Sequence, residues 1–456
     1  MLTEEQRSVF EEIMKSVDGN TGGMFFVYGY GGTGKTFLWK TLSAAPRSKR
    51  EIVLNVASSG IASLLLTGGR TAHSRFRIPL NLNEDSVCHI KADSDVAKLL
   101  RQTKLIIWDE APMVHKHAFE ALNRTMNDIF NFDTSRNSEI SFGGKVIVFG
   151  GDFRQVLPVV RNGGRQETVN ASLSSSYLWS KCKVLTLSRN MRLTVRRSPS
   201  EIKEINSFAK WLLDIGEGNV GGPNDGEATI ENFRSPNYFS DRAILAPKNE
   251  VVNEINDRLL ALFPGEEREY LSSDRLCATE NVSSIQERLY TLDVLNGLKV
   301  SGLPNHKLVL KVGVPVMLLR NIDQKNGLCN GTRLKVTKLY NRVIEAEIIS
   351  GANIGTRTYI PRISLVPSDK KIPFSFQRRQ FPVVVCFAMT INKSQGQSLS
   401  RVGLYLRKPV FTHGQLYVAL SRVRTRDGVK LLILDKDGKP TNKTTNVVYK
   451  EVFNDL

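Results

Sequence analysis

The chain has 456 residues, 41% hydrophobic and 24% charged, and no apolar run approaches the ~20 residues a membrane-spanning helix needs. Lysine and arginine number 63 against 45 aspartate and glutamate, a net charge of +18 that favours a polyanionic partner. The five cysteines, Cys88, Cys182, Cys277, Cys329 and Cys386, are odd in number and lack a C-x-x-C pair, which argues against a disulfide framework or zinc module and for a reducing, intracellular compartment.

The start of the chain has neither signal-peptide nor transit-peptide character. It opens almost at once in helix-like sequence and reads as a piece of a longer protein. Within LTEEQ at 2–6, Gln6 carries an amide that both donates and accepts, which suits the edge of adenine. The apolar run Met24–Tyr28 then leads into GYGGTGKT, Gly29–Thr36, followed by helix-compatible Phe37–Leu42. Strand, loop and helix are the setting that the phosphate-loop pattern G-x-x-x-x-G-K-[ST] requires. Gly29, Gly31, Gly32, Thr33 and Gly34 let backbone N–H groups converge on phosphate oxygens. Lys35 is placed to reach the β/γ-phosphates and Thr36 to hold Mg²⁺.

Short apolar runs at Phe25–Tyr28, Ile52–Val56, Leu105–Trp108, Val146–Phe149 and Val184–Leu187 predict a parallel sheet covered by helices on both faces. Ligands of such sheets bind at the carboxyl ends of the strands. The polar segment Gly68–Lys104 is long for a connection and predicts a small inserted subdomain. LIIWDE at 105–110 brings two adjacent carboxylates to a strand end. There Asp109 holds Mg²⁺ through water and Glu110 polarises the attacking water. Val146–Gln155 ends another strand, with Gln155 placed to sense the γ-phosphate and Asp152 either an acidic helper or a turn former. His115 and His117 read as surface residues.

A basic stretch with Arg189, Arg192, Arg196 and Arg197 places a domain boundary near residue 190. The α/β pattern resumes at Ala243–Leu245, with a helix from about Asn249 whose apolar positions Val252, Ile255, Leu259 and Leu262 have helical spacing. Val314–Leu319, Arg333–Val336, Val343–Ile349 and Thr358–Ile363 predict a small β-barrel. Phe381–Phe387 and Val429–Leu434 return to α/β character. Arg192 in RNMR and Arg422 in LYVALSR offer planar forks of positive charge for a transferring phosphoryl group. Phe76 and Phe153 are candidate base-stacking platforms or core residues alike.

These residues, in this order, resemble the Pif-one (petite integration frequency) family of superfamily-one B helicases, including the helicase part of Helitron transposons. The motifs are LTEEQ (2–6), GYGGTGKT (29–36), ASSGIAS (57–63), GGRTAHS (68–74), IIWDEAPM (106–113), GGDFRQVLPVV (150–160), LSRNMR (187–192), AMTINKSQGQS (388–398) and LYVALSRVR (416–424). The chain departs from the family's usual residues at Ser59, Leu193 and Asn392. The resemblance implies a fold of two RecA-like domains: 1A over 1–190 with a wedge, 1B, over 68–104, and 2A over 191–300 and 381–456 with an SH3-like 2B over 301–380. It implies an ATP- and Mg²⁺-dependent motor moving 5′→3′ on single-stranded DNA. Gln6 would lie on adenine, Gly34, Lys35 and Thr36 on phosphate and metal, Asp109 and Glu110 as hydrolytic acids and Gln155 as sensor. Arg192 and Arg422 would be arginine fingers. Ser59, Gly60, Thr71, His73, Lys393 and Ser394 fall in the family's DNA-contacting segments. The implied partners are single-stranded DNA and its junctions with duplex, bound by a monomer in the nucleus or mitochondrion. Forks, G-quadruplexes and RNA–DNA hybrids are substrates between which the residues do not choose. An RNA helicase and an ATPase that remodels DNA without unwinding it are the alternative readings.

Overall fold

The computed structural model describes residues 2–131, 141–191 apart from 161, 199–217, 238–277, 291–367 apart from 301 and 352, and 372–456 apart from 373 and 455. Its first helix, Glu4–Gly19, begins with a reciprocal cap: Gln6 N donates to Thr3 Oγ1 at 3.3 Å, and Thr3 N donates to Gln6 Oε1 at 3.2 Å. The helix buries Val9, Ile13, Met14 and Val17 and stops at Asn20, whose φ of 50° is left-handed.

The strands β1 (Gly23–Gly29), β2 (Ile52–Ala57), β3 (Arg70–Thr71), β4 (Thr103–Asp109), β5 (Val146–Gly151) and β6 (Cys182–Leu187) form one parallel sheet in the order β3-β2-β4-β5-β1-β6. All five apolar runs expected as strands are present. Their near-continuous apolar character follows from cover on both faces. Phe26, Ile106, Trp108, Ile147 and Phe149 pack into one core, while Phe25, Val27, Leu105, Ile107 and Val148, their alternates, pack into the other. The segment 68–104 contributes β3 and the helices Ala72–Phe76 and Asp95–Gln102. Its apolar residues Phe76, Ile78, Cys88, Ala97 and Leu100 share the core of Trp108 rather than forming one of their own.

A second sheet runs Ala388–Thr390, Arg242–Ala246, Arg401–Leu406, Val429–Leu434, all parallel, with Pro440–Thr441 antiparallel at its edge. Between its strands in sequence lies an antiparallel sheet of Arg357–Pro361, Val343–Ile348, Arg333–Leu339, Pro315–Leu318 and Val383–Val385, in that order. Two expected runs are divided. Phe381–Phe387 supplies Val383–Val385 to the antiparallel sheet, and the parallel strand is Ala388–Thr390 immediately after it. Thr358–Ile363 breaks after Pro361, with Ile363–Leu365 pairing in a separate three-stranded sheet. The fully buried Arg333 ties the parallel and antiparallel parts together, its Nη2 donating to Phe239 O at 2.8 Å and Arg242 O at 2.9 Å.

Candidate nucleotide site and nucleic-acid interface

The loop after β1 turns sharply into the helix Lys35–Ser48, whose N-cap Gly34 has φ 83°. That positive φ favours glycine, and a Cβ there, 2.5 Å from Gln6 Nε2, would displace the Gln6 amide. Gln6 is buried and its Nε2 donates to Thr33 O at 3.1 Å, fastening the first helix to the loop. Lys35 Nζ donates to Gly29 O and, at 3.5 Å, to Tyr30 O, while Thr36 sits half-buried in the helix's first turn. The exposed Gly31 and half-buried Gly32 complete the loop. Gly32 O accepts from Met191 N at 2.8 Å, and Tyr30 Oη donates to Ser188 O at 2.7 Å. The segment leading to Arg192 therefore lies on the phosphate loop; Arg192 itself, with Arg196 and Arg197, lies outside the described residues.

Asp109 ends β4, and Glu110 follows in a left-handed conformation, φ 54° and ψ 39°, which a non-glycine residue adopts at a cost of about 1–3 kcal/mol. Among the described residues, the buried Asp109 Oδ1 and Glu110 Oε2 find no hydrogen-bond partner. Burial, reinforced by the neighbouring Asp109 charge, pushes the Glu110 carboxyl up to about 7, against the pull of Lys35 and Arg422. Burial also raises Asp109, opposed chiefly by Lys35. Two such carboxylate oxygens under the charge of Lys35 fit Mg²⁺, which takes one or two carboxylates and completes its shell with phosphate and water. Among the described residues no cluster of three His, Cys, Asp or Glu side chains could hold a metal alone. His115 and His117, expected at the surface, are half-buried and packed ring to ring at 4.5 Å, and His117 Nδ1 pairs with Glu120 Oε2 at 2.8 Å.

Gln155 is buried just beyond β5, where Gln395 Nε2 reaches its Oε1 at 3.5 Å from the second lobe. Arg422 follows the helix Gln415–Leu420, its Nε donating to Val418 O at 2.9 Å and its Nη1 to Gln397 O at 3.3 Å. Its charge acts on Glu110 across the gap between the two parallel sheets. The sequence left Asp152 undecided and passed over Arg154 and Tyr417. Asp152 is wholly buried and accepts from Tyr417 Oη at 2.7 Å, and Arg154 Nη2 pairs with Glu217 Oε1 at 2.5 Å. A tyrosine inside LYVALSR, five residues before an arginine assigned to the site, was the available signal.

The nucleic-acid candidates divide. Ser59 Oγ accepts from Ala62 N at 3.2 Å, capping the helix Gly60–Leu64, and Gly60 lies against Asn330 and Cys329 of the antiparallel part. Thr71 and the half-buried His73, whose pKa burial lowers, adjoin a cleft of about 720 Å³. Arg70, Arg75, Asn321, Gln324, Lys325 and Asn353 are among its lining. Lys393 is exposed, but Ser394 is wholly buried with its hydroxyl donating to Ile391 O at 2.7 Å. Ser394 is therefore a turn former here and not a strand contact. Phe76 and Phe153 are wholly buried in the first-lobe core, which removes them as stacking platforms.

The fold and this site define the class of phosphate-loop proteins with two α/β lobes. Residues 1–226 match the family described as PIF1-like helicase, and residues 293–339 match the 2B domain of DNA helicase Pif1. Together these matches take in more than half of the chain, which belongs to the PIF1-like helicase family. A zebrafish (Danio rerio) ATP-dependent DNA helicase PIF1 is 29% identical over 99% of this chain, which spans 64% of that relative's length. The ATP-dependent DNA helicase Pif1 of Bdellovibrio bacteriovorus is 28% identical over 94% of this chain and 88% of its own. Among solved structures, Pif1 helicase from Candida albicans superposes with TM-score 0.68 at 24% identity, over 99% of this chain and 98% of that one. Bacteroides Pif1 bound to single-stranded DNA does so with TM-score 0.68 at 24% identity, over 94% and 92%. These likenesses support the two-lobed RecA-like fold.

Proposed function

We propose that the chain is an ATP-dependent 5′→3′ DNA helicase that translocates on single-stranded DNA and unwinds duplex or structured DNA. The observation that carries this reading is the Asp109–Glu110 pair, each with a buried oxygen that finds no partner among the described residues, under the charges of Lys35 from one lobe and Arg422 from the other. Gln6 reads the adenine edge, the loop 29–34 wraps the phosphates, and Lys35 holds the β/γ oxygens. Thr36 and Asp109 hold Mg²⁺, which offsets phosphate charge when bound. Glu110, poised near neutrality by burial, takes the proton of the attacking water, and Gln155 senses the γ-phosphate. Arg192 and Arg422 stabilise the charge that spreads over the transferring group, so hydrolysis needs both lobes in place.

DNA runs across both lobes, held through its phosphates by Ser59, Gly60, Thr71, His73 and Lys393, with Arg70, Arg75 and Lys325 of the large cleft nearby. Segment 68–104 acts as the wedge and 301–380 as the 2B domain. Single strands and their junctions with duplex, forks included, are the substrates, and a monomer is the working unit. The reading extends to work in the nucleus or mitochondrion, in replication, repair, recombination or telomere maintenance, and the family resemblance supports it. Strand displacement on 5′- and 3′-tailed duplexes, with and without ATP, tests the reading. Displacement of the 5′-tailed substrate alone is expected. Equal displacement of both tails overturns the polarity, and ATP hydrolysis without displacement leaves the remodelling ATPase in its place.

A further inference from the structure

The turn that carries Gln155 begins in the first lobe but is gripped almost residue by residue from the second. Asp152 Oδ2 accepts from Tyr417 Oη at 2.7 Å, with both side chains buried. Phe153 O accepts from His413 Nε2 at 2.7 Å, because His413 Nδ1 already accepts from Tyr449 N at 2.8 Å and leaves the proton on Nε2. Arg154 pairs with Glu217 at the end of the helix Pro199–Glu217 and lies 5.2 Å from the centre of the Tyr28 ring. Gly414, φ 74°, comes so close that a Cβ there would lie 2.5 Å from Arg154 O and 2.6 Å from Gln155 O. Tyr417 is in the short helix that leads into Arg422, and Arg422 Nε is bonded back to Val418 O of that helix.

We propose that Tyr417 is a positioning residue for ATP hydrolysis: its bond to Asp152 makes the Gln155 turn and the Arg422 helix one body, so that sensor and arginine reach the γ-phosphate together. Of the contacts to this turn, the Tyr417–Asp152 bond joins two buried side chains, where a hydroxyl–carboxylate bond is short, directional and undiluted by water. Losing it frees Gln155 to settle away from the position that Arg422 requires. The ground-state grip on ATP, made by Gln6, Lys35 and the loop, does not pass through it.

This inference rests on the ATPase reading above, and its test keeps the two apart. Steady-state ATP hydrolysis is measured on the full chain with saturating single-stranded DNA for wild type, Lys35→Ala, Tyr417→Phe, Asp152→Asn and the double variant Asp152→Asn/Tyr417→Phe. Tyr417→Phe is expected to lower kcat roughly 10- to 100-fold, the scale of a small misplacement, with KM for ATP nearly unchanged. Asp152→Asn keeps an oxygen to accept from Tyr417 but turns its amide nitrogen toward Arg154, whose N and Nη1 donate to Asp152 Oδ1 at 3.1 and 3.4 Å, so its kcat should fall clearly less than that of Tyr417→Phe. The double variant removes the buried charge together with the hydroxyl, so it reports on the lost bond even if Tyr417→Phe alone fails to fold, and its kcat should fall as far. Wild-type kcat in Tyr417→Phe or in the double variant, a change confined to KM, or an equal loss in Asp152→Asn overturns the inference. Full activity in Lys35→Ala overturns the ATPase reading instead.

Discussion

Glu110 concentrates the local cost of this site in one side chain. It holds a left-handed backbone, its carboxyl is raised to about 7, and one of its oxygens has no partner among the described residues. A general base must be ionised to act, so kcat/KM for ATP is expected to fall about tenfold per pH unit below about 7, as free-enzyme pKa values govern that ratio. A pH profile flat from 5.5 to 8 would remove Glu110 from the role. The same raised pKa has a stability consequence of opposite sense. The folded state holds the Glu110 proton more tightly than the unfolded chain, so stability falls as pH rises from the ordinary carboxyl value through about 7. Glu110→Gln should therefore raise the melting temperature at pH 8 while stopping hydrolysis. Lys35→Ala should cost at least about 100-fold in hydrolysis, the scale of removing a charge-stabilising donor from an enclosed site. Lys35, Asp109, Glu110 and Gln155 lie at or shortly after strand ends, a placement legible in the sequence because strand-loop junctions announce themselves in short linear patterns. Ser394, Phe76 and Phe153 were not legible, since whether a hydroxyl or ring faces water depends on what the rest of the chain lays over it.

At the scale of elements, the antiparallel region shows how a charged pair can organise a non-repetitive segment. Arg378 and Asp274 are both fully buried, paired at 2.7 Å, and Arg378 also donates to Leu295 O, Leu298 O and Pro304 O. The pair holds Leu295, Leu298 and Pro304 against the strands Ser273–Leu276 and Phe376–Gln380. Asp274→Ala leaves a buried guanidinium without its counter-charge and should cost about 3–5 kcal/mol, read as a lowered denaturant midpoint. A loss within about 0.5 kcal/mol, as at an exposed pair, would show that water reaches Arg378. The sequence pattern predicted four strands of this region, but neither Ser273–Leu276 nor Phe376–Gln380, and it named no strand's partner. The run Phe381–Phe387 looks uniform, yet the chain leaves one sheet at Val385 and enters another at Ala388, a switch that hydrophobic pattern does not encode.

For the whole molecule, the basic excess and the cleft between segment 63–75 and the loop near Asn321–Lys325 bear on how a polyanion is held. Binding of single-stranded DNA should weaken steeply with salt, because each neutralised phosphate releases a counterion. Replacing Arg70 and Lys325 together by Ala should reduce the slope of log K against log salt by about 1–2. An unchanged slope would place the strand elsewhere. The sequence by itself determined the phosphate loop, the acidic strand end, the first sheet's five principal strands and the family, because each rests on neighbours a few residues apart. Only the tertiary structure decided that Asp109 and Glu110 each keep a buried oxygen without a partner among the described residues, that segment 68–104 shares the first core, and that Asp152 meets Tyr417. Those facts join residues up to 265 positions apart, and burial, which sets both pKa and partner, is a property of the packed chain.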